Sequence, residues 1–250
     1  MLQSKSAGLS DVGKVRKQNE DDYVIRNDQG LFLVSDGMGG HRAGQTASSM
    51  VATLLPDALE QQLSALPLED AETVSFCIRD AIVAVSQTLW QRSSQDPALA
   101  GMGATLALLV TRSTTAFIAH MGDSRVYLFR SGRLQQLTTD HSLVSLLQST
   151  GEITAEEART HPARNRITRH VGMERPLYPD VQSLELSEGD RLLLCTDGLN
   201  GMIDDGHIAE ILARCKDPEE ACQALVDAAN AAGGKDNVTA LVVNLDLVER

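Results

Sequence analysis

Apolar positions follow two rhythms along this chain: short unbroken runs, and longer stretches that recur every three or four residues. Leu31 to Val34 is a run of the first kind. It stops at Ser35-Asp36-Gly37-Met38-Gly39-Gly40, which predicts a buried strand emptying into a glycine-rich loop. Thr105 to Val110, Ala116 to His120, Val126 to Phe129 and Leu134 to Leu137 repeat the pattern. Ser113 and Ser131-Gly132 separate them as turns, so an antiparallel meander is expected. Arg191 to Cys195 and Asn237 to Val243 read as two further strands. The second rhythm runs from Ala43 to Leu63, with Pro56 as a possible kink, and from Asp70 to Gln91, where Val74, Ile78, Ile82, Val85 and Leu89 share one face. Ser64 to Pro67 reads as the turn between these two helices. Shorter helices are predicted over Ser142 to Gln148, Ala155 to Thr160, His207 to Arg214 and Pro218 to Ala231. Strands and helices come in blocks instead of strict alternation, so the fold class is α+β.

Composition narrows the partners. At 250 residues with 42% hydrophobic content, the chain can bury a proper core, and one domain over residues 1–250 is expected. Aromatics are only 3%, so Leu, Val, Ile and Ala must fill that core, and a base-stacking nucleic-acid platform is disfavoured. A formal charge of −12 opposes bulk attraction to nucleic acid or an anionic membrane. It leaves room for an anionic substrate where bound cations reverse the local field. Cys77, Cys195, Cys215 and Cys222 show no zinc-like spacing, and free thiols fit a reducing compartment. Neither a signal-peptide core nor a membrane-length apolar stretch occurs, so a cytoplasmic monomer is expected.

Candidate chemistry lies at three aspartates. Asp36 and Asp197 end apolar strands, and Asp236 precedes one. A carboxylate at a strand end stands on rigid scaffold, as a metal ligand should. Gathering several without a cation is costly, about 4 kcal/mol per pair at ~4 Å in an effective dielectric of ~20. Hard divalent ions with oxygen ligands, Mg²⁺ or Mn²⁺, remove that penalty. Any single Asp-Gly pair is equally an ordinary turn. The glycines of Asp36-Gly37-Met38-Gly39-Gly40-His41 belong where the backbone approaches something closely, either a cation or a bare phosphate. No phosphate-loop string is present to favour the phosphate.

Taken in order, seven segments carry a resemblance. They are Arg16-Lys17-Gln18-Asn19-Glu20-Asp21, the Asp36 to His41 run, Gly101-Met102-Gly103-Ala104-Thr105, His120-Met121-Gly122-Asp123-Ser124-Arg125, Asp140-His141-Ser142, Cys195-Thr196-Asp197-Gly198-Leu199, and Gly233-Gly234-Lys235-Asp236-Asn237-Val238-Thr239. Together they resemble the metal-dependent Ser/Thr protein phosphatases of the 2C type, in their bacterial stand-alone form. The resemblance implies a four-layer αββα sandwich of two antiparallel sheets flanked by helices, with a flap segment at about 143–171. It implies two Mn²⁺ or Mg²⁺ ions and a bridging water that attacks phosphorus directly. Asp36 would bridge the ions, with the Gly37 carbonyl as a further ligand. Asp197 and Asp236 would complete the first shell, and Asp21 or Glu20 would serve the second ion, directly or through water. Asp123 matches the ligand of a third ion, and Arg16 the arginine that grips the substrate phosphate.

One departure concerns the leaving oxygen. Some members place a histidine two residues after the bridging aspartate, where this chain has Met38. His41 is the alternative donor, and metal-bound water is another. His120 and His141 read as structural. Substrates would be phosphoserine and phosphothreonine proteins, opposing a bacterial Ser/Thr kinase. Arg159, Arg164, Arg166 and Arg169 make the flap basic, which suits either acidic phosphoproteins or plain solvation. A cysteine-dependent phosphatase is excluded, because the positions six after each cysteine are Val83, Gly201, Ala221 and Ala228 where arginine is required. A binding module that lost its chemistry should lack Arg16 or one of the metal carboxylates, and all are present.

Overall fold

The unbroken apolar runs are unbroken because both faces of their strands are covered. In β3 (Leu31–Met38), Leu31 and Leu33 point one way and Phe32 and Val34 the other, and all four are buried. The computed structural model describes residues 2–64, 70–175 and 178–247, without the side chains of Leu2, His41, Arg159 and Leu247. One sheet contains β2 (Asp21–Arg26), β3, β5 (Leu106–Arg112), β6 (Thr115–Met121) and β9 (Asp180–Glu185) in that order, with β4 (Gly103–Ala104) paired to the end of β3. The other runs β1 (Leu2–Asp11), β11 (Val238–Leu247), β10 (Arg191–Cys195), β7 (Arg125–Arg130), β8 (Arg133–Gln136). Every pairing between these strands is antiparallel.

Three apolar layers hold the stack together. Leu31, Leu33, Leu106 and Leu108 meet Val51, Leu55, Ile78 and Ile82 of α1 (His41–Leu63) and α2 (Ala71–Gln95). Phe32, Val34, Ala107 and Leu109 meet Val126, Leu128, Leu194 and Leu241 between the sheets. Tyr127, Leu193 and Val242 meet α5 (Asp197–Asn200), α6 (Asp205–Arg214) and α7 (Pro218–Ala231) through Leu199, Ile211 and Leu225. This is the expected αββα sandwich. Truncating any of these buried leucines to alanine should cost about 2–5 kcal/mol.

Local signals account for the element ends. Asp70 caps α2 by accepting from Thr73 N at 3.0 Å, one residue before the helix begins. Ser131 and Gly132 both take left-handed φ, 51° and 76°, and make the predicted two-residue turn between β7 and β8. Pro56 does not end α1, which continues to Leu63, where Arg112 Nη1 donates to the Leu63 carbonyl at 2.9 Å. The turn expected over Ser64 to Pro67 lies largely outside the described residues. Between β8 and β9, α3 (Leu143–Ser149) and α4 (Ala155–Thr160) match expectation, and the segment returns to the sheet by a bridge from Val171 to Ala104.

Four corrections follow. The N-terminal stretch, which the polar sequence left without structure, is the ten-residue strand β1 paired along its length with β11. Strands β2, β4 and β9 and the short helix α5 have no counterpart among the predicted elements either. Strand β3 runs two residues past Asp36 to Met38, because Gly37 and Met38 pair with Ala104 and Gly103. Helix α1 therefore starts at His41, not Ala43. No helix among the described residues is long and apolar enough to cross a membrane.

Candidate metal centre

The layer between the sheets changes character at one end of the sandwich. Strand periodicity sends alternate residues to one face. Continuing Phe32 and Val34 by two gives Asp36; Ala107 and Leu109 lead back to Thr105; Leu192 and Leu194 lead to Thr196; Leu241 leads back to Thr239. Tyr23 and Ile25, packed against the same layer, lead back to Asp21. The apolar core thus ends in a row of carboxylates and hydroxyls, and the register sets Asp21 directly opposite Asp36. Asp197 opens α5 just beyond β10, Asp236 stands just before β11, and Asp123 lies in the turn between β6 and β7.

Hydroxyls hold this row in place. Thr196 and Thr239 both donate to Oδ2 of Asp21, at 2.8 and 2.6 Å. Thr239 N donates to Thr196 Oγ1 at 3.0 Å, which ties the ends of β10 and β11 together. Thr105 Oγ1 accepts from Asp36 N at 2.9 Å and contacts Ser124 Oγ at 2.6 Å. None of these threonines was given a role from sequence, although each lies inside a quoted motif. The signal that could have found them is the parity of the apolar runs carried two residues past their ends.

Electrostatics show a site short of positive charge. Burial and then the carboxylates of Asp21, Asp197, Asp123 and Asp236 raise Asp36 well above the usual aspartate range. Asp21 is pushed up to about 7 by burial, against its two threonine bonds, with Asp197 and Asp236 adding to the rise. Asp123 reaches about 8 through burial, then Asp197 and Asp140. Asp197 reaches about 6 through burial and Asp236, with Arg16 opposing. Arg125 holds Asp140 bidentately at 2.8 and 2.7 Å and donates to Tyr127 Oη at 2.8 Å, so one buried cation already sits behind Asp123.

The mouth of the pit is built from two interlocked loops. Asn237 accepts from Glu20 N at 2.8 Å and donates to the carbonyls of Val12 and Gln18 at 3.0 and 2.9 Å. That clamp fixes the 12–20 loop, from which Arg16 reaches Asp236 at 2.7 Å. Arg16 is thus paired to an expected metal carboxylate, and Glu20 and Asp36 add to the field that raises its pKa. Gly37 and Gly44 are glycines because α1 starts hard against β3. A Cβ on Gly37 would fall 2.0 Å from the Gly44 carbonyl oxygen; one on Gly44 would fall 1.9 Å from Glu20 Oε2 and 2.8 Å from the Gly37 carbonyl oxygen. The Glu20 carboxylate thus packs against Gly44, while Asp21 feels the charges of Asp197 and Asp236. The His41 side chain lies outside the described residues, as does that of Arg159. Arg164 and Arg166 are exposed, and Arg169 pairs with Asp180 at 2.6 Å.

Two observations test whether the pit suits a divalent cation. Asp21 Oδ1 is buried without a hydrogen-bond partner, an acceptor lone pair left free for a cation. The whole donor set is carboxylate and carbonyl oxygen, which favours Mg²⁺ or Mn²⁺ over softer metals. Both observations fit. A different group, His120, His141 and Asp180, is the one among the described residues whose ligand atoms all come within 4.8 Å of one another, yet it fits an ion poorly. The two rings stack at 4.4 Å with 17° between planes, so their in-plane lone pairs run nearly parallel and do not converge on one ion. His120 Nε2 faces the Thr139 carbonyl at 2.8 Å and His141 Nδ1 accepts from Gly122 N at 3.1 Å, so a ring nitrogen of each is already engaged by the backbone. A cavity of about 830 Å³ lies elsewhere, lined by Asn27, Gly30, Leu63 and Thr111, and holds none of the carboxylates.

An oxygen-lined pit at the end of a β-sandwich, with an arginine at its lip, has the chemistry that a metal-dependent phosphoric ester hydrolase needs. Comparison with known proteins agrees. The protein phosphatase 2C family model matches residues 14–232, and the chain belongs to that family. It is 38% identical over 244 residues to the serine/threonine phosphatase stp of Listeria monocytogenes, covering 96% of each chain. The crystal structure of the Mycobacterium tuberculosis serine/threonine phosphatase PstP/Ppp superposes with a TM-score of 0.84 at 35% identity, over 98% of this chain and 99% of that one. The catalytic domain of PstP in complex with two manganese ions gives 0.86 at 33% identity, over 99% and 100%. The chain is a phosphoprotein phosphatase.

Proposed function

We propose that this protein removes phosphate from phosphoserine and phosphothreonine in proteins, using two Mn²⁺ or Mg²⁺ ions held in the inter-sheet pit, in opposition to a Ser/Thr kinase. The convergence of Asp21, Asp36, Asp123, Asp197 and Asp236, with Asp21 Oδ1 unpartnered, is the observation that carries the reading. In this scheme Asp36 would be shared by the ions, with the Gly37 carbonyl as a further ligand, and Asp197 and Asp236 would hold the first. Asp21, directly or through water, or Glu20, whose carboxylate packs against Gly44, would serve the second. Asp123 serves a third. Ions bound there would acidify and orient the attacking water and offset charge on the phosphoryl group.

The chain's own residues do the rest. Arg16 spends one N–H on Asp236 and keeps others of its guanidinium for phosphate oxygens, so it can bind substrate without leaving the pit. Thr196 and Thr239 hold Asp21 in one orientation, and Thr105 anchors the Asp36 backbone. A single catalytic domain with a flap over about 143–171, acting as a cytoplasmic monomer, is part of the same reading.

Hydrolysis of p-nitrophenyl phosphate and of a phosphothreonine peptide should require added Mn²⁺ or Mg²⁺ and stop in EDTA; turnover without metal would sink the reading. Asp36→Asn should abolish turnover and calorimetric Mn²⁺ binding while circular dichroism stays native. Unchanged Mn²⁺ binding would remove Asp36 from its bridging role.

A further inference from the structure

The pit is acidic, but its rim is not. The loop between β1 and β2 places Lys14, Arg16 and Lys17 in four successive residues, all exposed, and Lys235 stands next to Asp236 on the facing loop. This gathering occurs in a chain with 34 acidic residues against 22 basic ones. Lys14 N donates to the Gly234 carbonyl at 2.7 Å, and the side-chain stems of Lys14 and Lys235 lie beside Gly234 and Gly233. A Cβ on Gly234 would come within 2.9 Å of Lys14 Cγ, so the two glycines leave room for the stems.

Among the described residues, the ammonium groups of Lys14, Lys17 and Lys235 take part in no ion pair. Lys14 faces Asp11, whose carboxylate already accepts from Gly13 N and Asn230. Lysine is a compact, rotatable point charge, able to meet either a carboxylate or a phosphate. Arg16 differs, being tied to Asp236 and assigned to the phosphate that is cleaved. The Asn237 clamp and the interlock of Gly13 against the Asp236 carbonyl fix the loop, so a ligand need not order it.

We propose that Lys14, Lys17 and Lys235 form a selectivity rim for phosphorylated segments that carry a carboxylate or a second phosphate within a few residues of the phosphoresidue being hydrolysed. This rests on the phosphatase reading of the pit. The rim touches the flanking residues and not the cleaved phosphate, so small aryl phosphates do not feel it. Exposed charge pairs each contribute about 1.5- to 5-fold, so three together give roughly tenfold. Salt should erode the preference, because such pairs are screened.

The test uses the full chain with saturating Mn²⁺ and three phosphothreonine peptides that differ only in flanking Asp, Asn or Lys, with p-nitrophenyl phosphate as reference. For the wild type, kcat/KM should be about tenfold higher with Asp flanks than with Asn and lowest with Lys, and the spread should narrow in 0.5 M KCl. The variant Lys14→Gln/Lys17→Gln/Lys235→Gln should lose the spread and keep its p-nitrophenyl phosphate turnover. Equal wild-type rates on the Asp and Asn peptides would overturn the proposal, as would a spread that survives the triple variant. A proportional loss on p-nitrophenyl phosphate would also overturn it, by placing the rim on the cleaved phosphate. Absence of any metal-dependent turnover would instead overturn the phosphatase reading, and the rim with it.

Discussion

Stripped of metal, the carboxylate pit should make the protein less stable as pH rises through neutrality, the reverse of what paired surface carboxylates do. In the unfolded chain an aspartate ionises near 3.8, whereas the fold holds Asp21 to about 7 and Asp123 to about 8. Between those values the folded state carries protons that the unfolded chain has lost. Unfolding then releases protons, and its free energy falls as pH climbs. One retained proton is worth about 1.4 kcal/mol per pH unit. Asp123 alone therefore removes roughly 2 kcal/mol between pH 6 and 8. For a chain of this length that is about 4–8 °C in Tm. His141 acts the other way, since burial and then His120 push it down to about 4, but its stability loss develops as pH falls below 6.5. Bound cations take only ionised carboxylates, so saturating Mg²⁺ should flatten or invert the slope. Thermal unfolding followed by circular dichroism at pH 6, 7 and 8, in EDTA and in Mg²⁺, measures both slopes. Asp123→Asn should flatten the EDTA curve. A Tm in EDTA that stays level or climbs from pH 6 to 8 would refute the claim that these groups share a site short of positive charge.

Substitutions at three residues probe the parts around the pit. Arg16→Ala should raise KM for a phosphopeptide with a smaller change in kcat, and Arg16→Lys should not restore it, because an ammonium lacks the planar fork; a fall in kcat alone would move Arg16 to the transition state. Asn237→Ala removes three side-chain hydrogen bonds to the 12–20 loop and should cost about 2–4 kcal/mol in denaturant unfolding. Its kcat/KM should also fall, since Arg16 and Glu20 ride on that loop; full activity would mean the clamp is dispensable. His41→Ala should leave kcat within severalfold, with water supplying the proton, and a loss of several hundredfold would make His41 the general acid.

Three of the strands that the sequence does not reveal share one property. β1, β2 and β9 all lie at sheet edges, with one flank unpaired. Edge strands bury less and carry more polar residues, which also guards against pairing with other chains. Their sequences, Leu2–Asp11, Asp21–Arg26 and Asp180–Glu185, accordingly hold no apolar run longer than Tyr23-Val24-Ile25. The interior strands β3, β5, β6, β7 and β10 were legible because both faces are covered and the whole run turns apolar. Helix α5 is too short, at four residues, to show a period.

The site divides along a similar line. Asp36, Asp197 and Asp236 stood out because a carboxylate against an apolar strand is chemically conspicuous, whereas a threonine in a strand is ordinary. What gives Thr105, Thr196 and Thr239 their part is register, and register is a long-range property. A one-residue slip of β2 against β3 would turn Asp21 away from Asp36, and a slip of β11 would turn Thr239 away from Asp21. The apolar residues that prevent such slips, Tyr23 and Ile25 on β2 and Leu241, Val243 and Leu245 on β11, lie in the inter-sheet layer. They point toward the same space as the ligands. The packing that stabilises the sandwich therefore also aims the carboxylates, and one end of the core can be polar because the rest of it fixes the alignment. Mutations that loosen the inter-sheet layer should reach metal binding before they reach unfolding, since a small rotation of β2 or β11 moves a ligand oxygen while most of the apolar contacts persist.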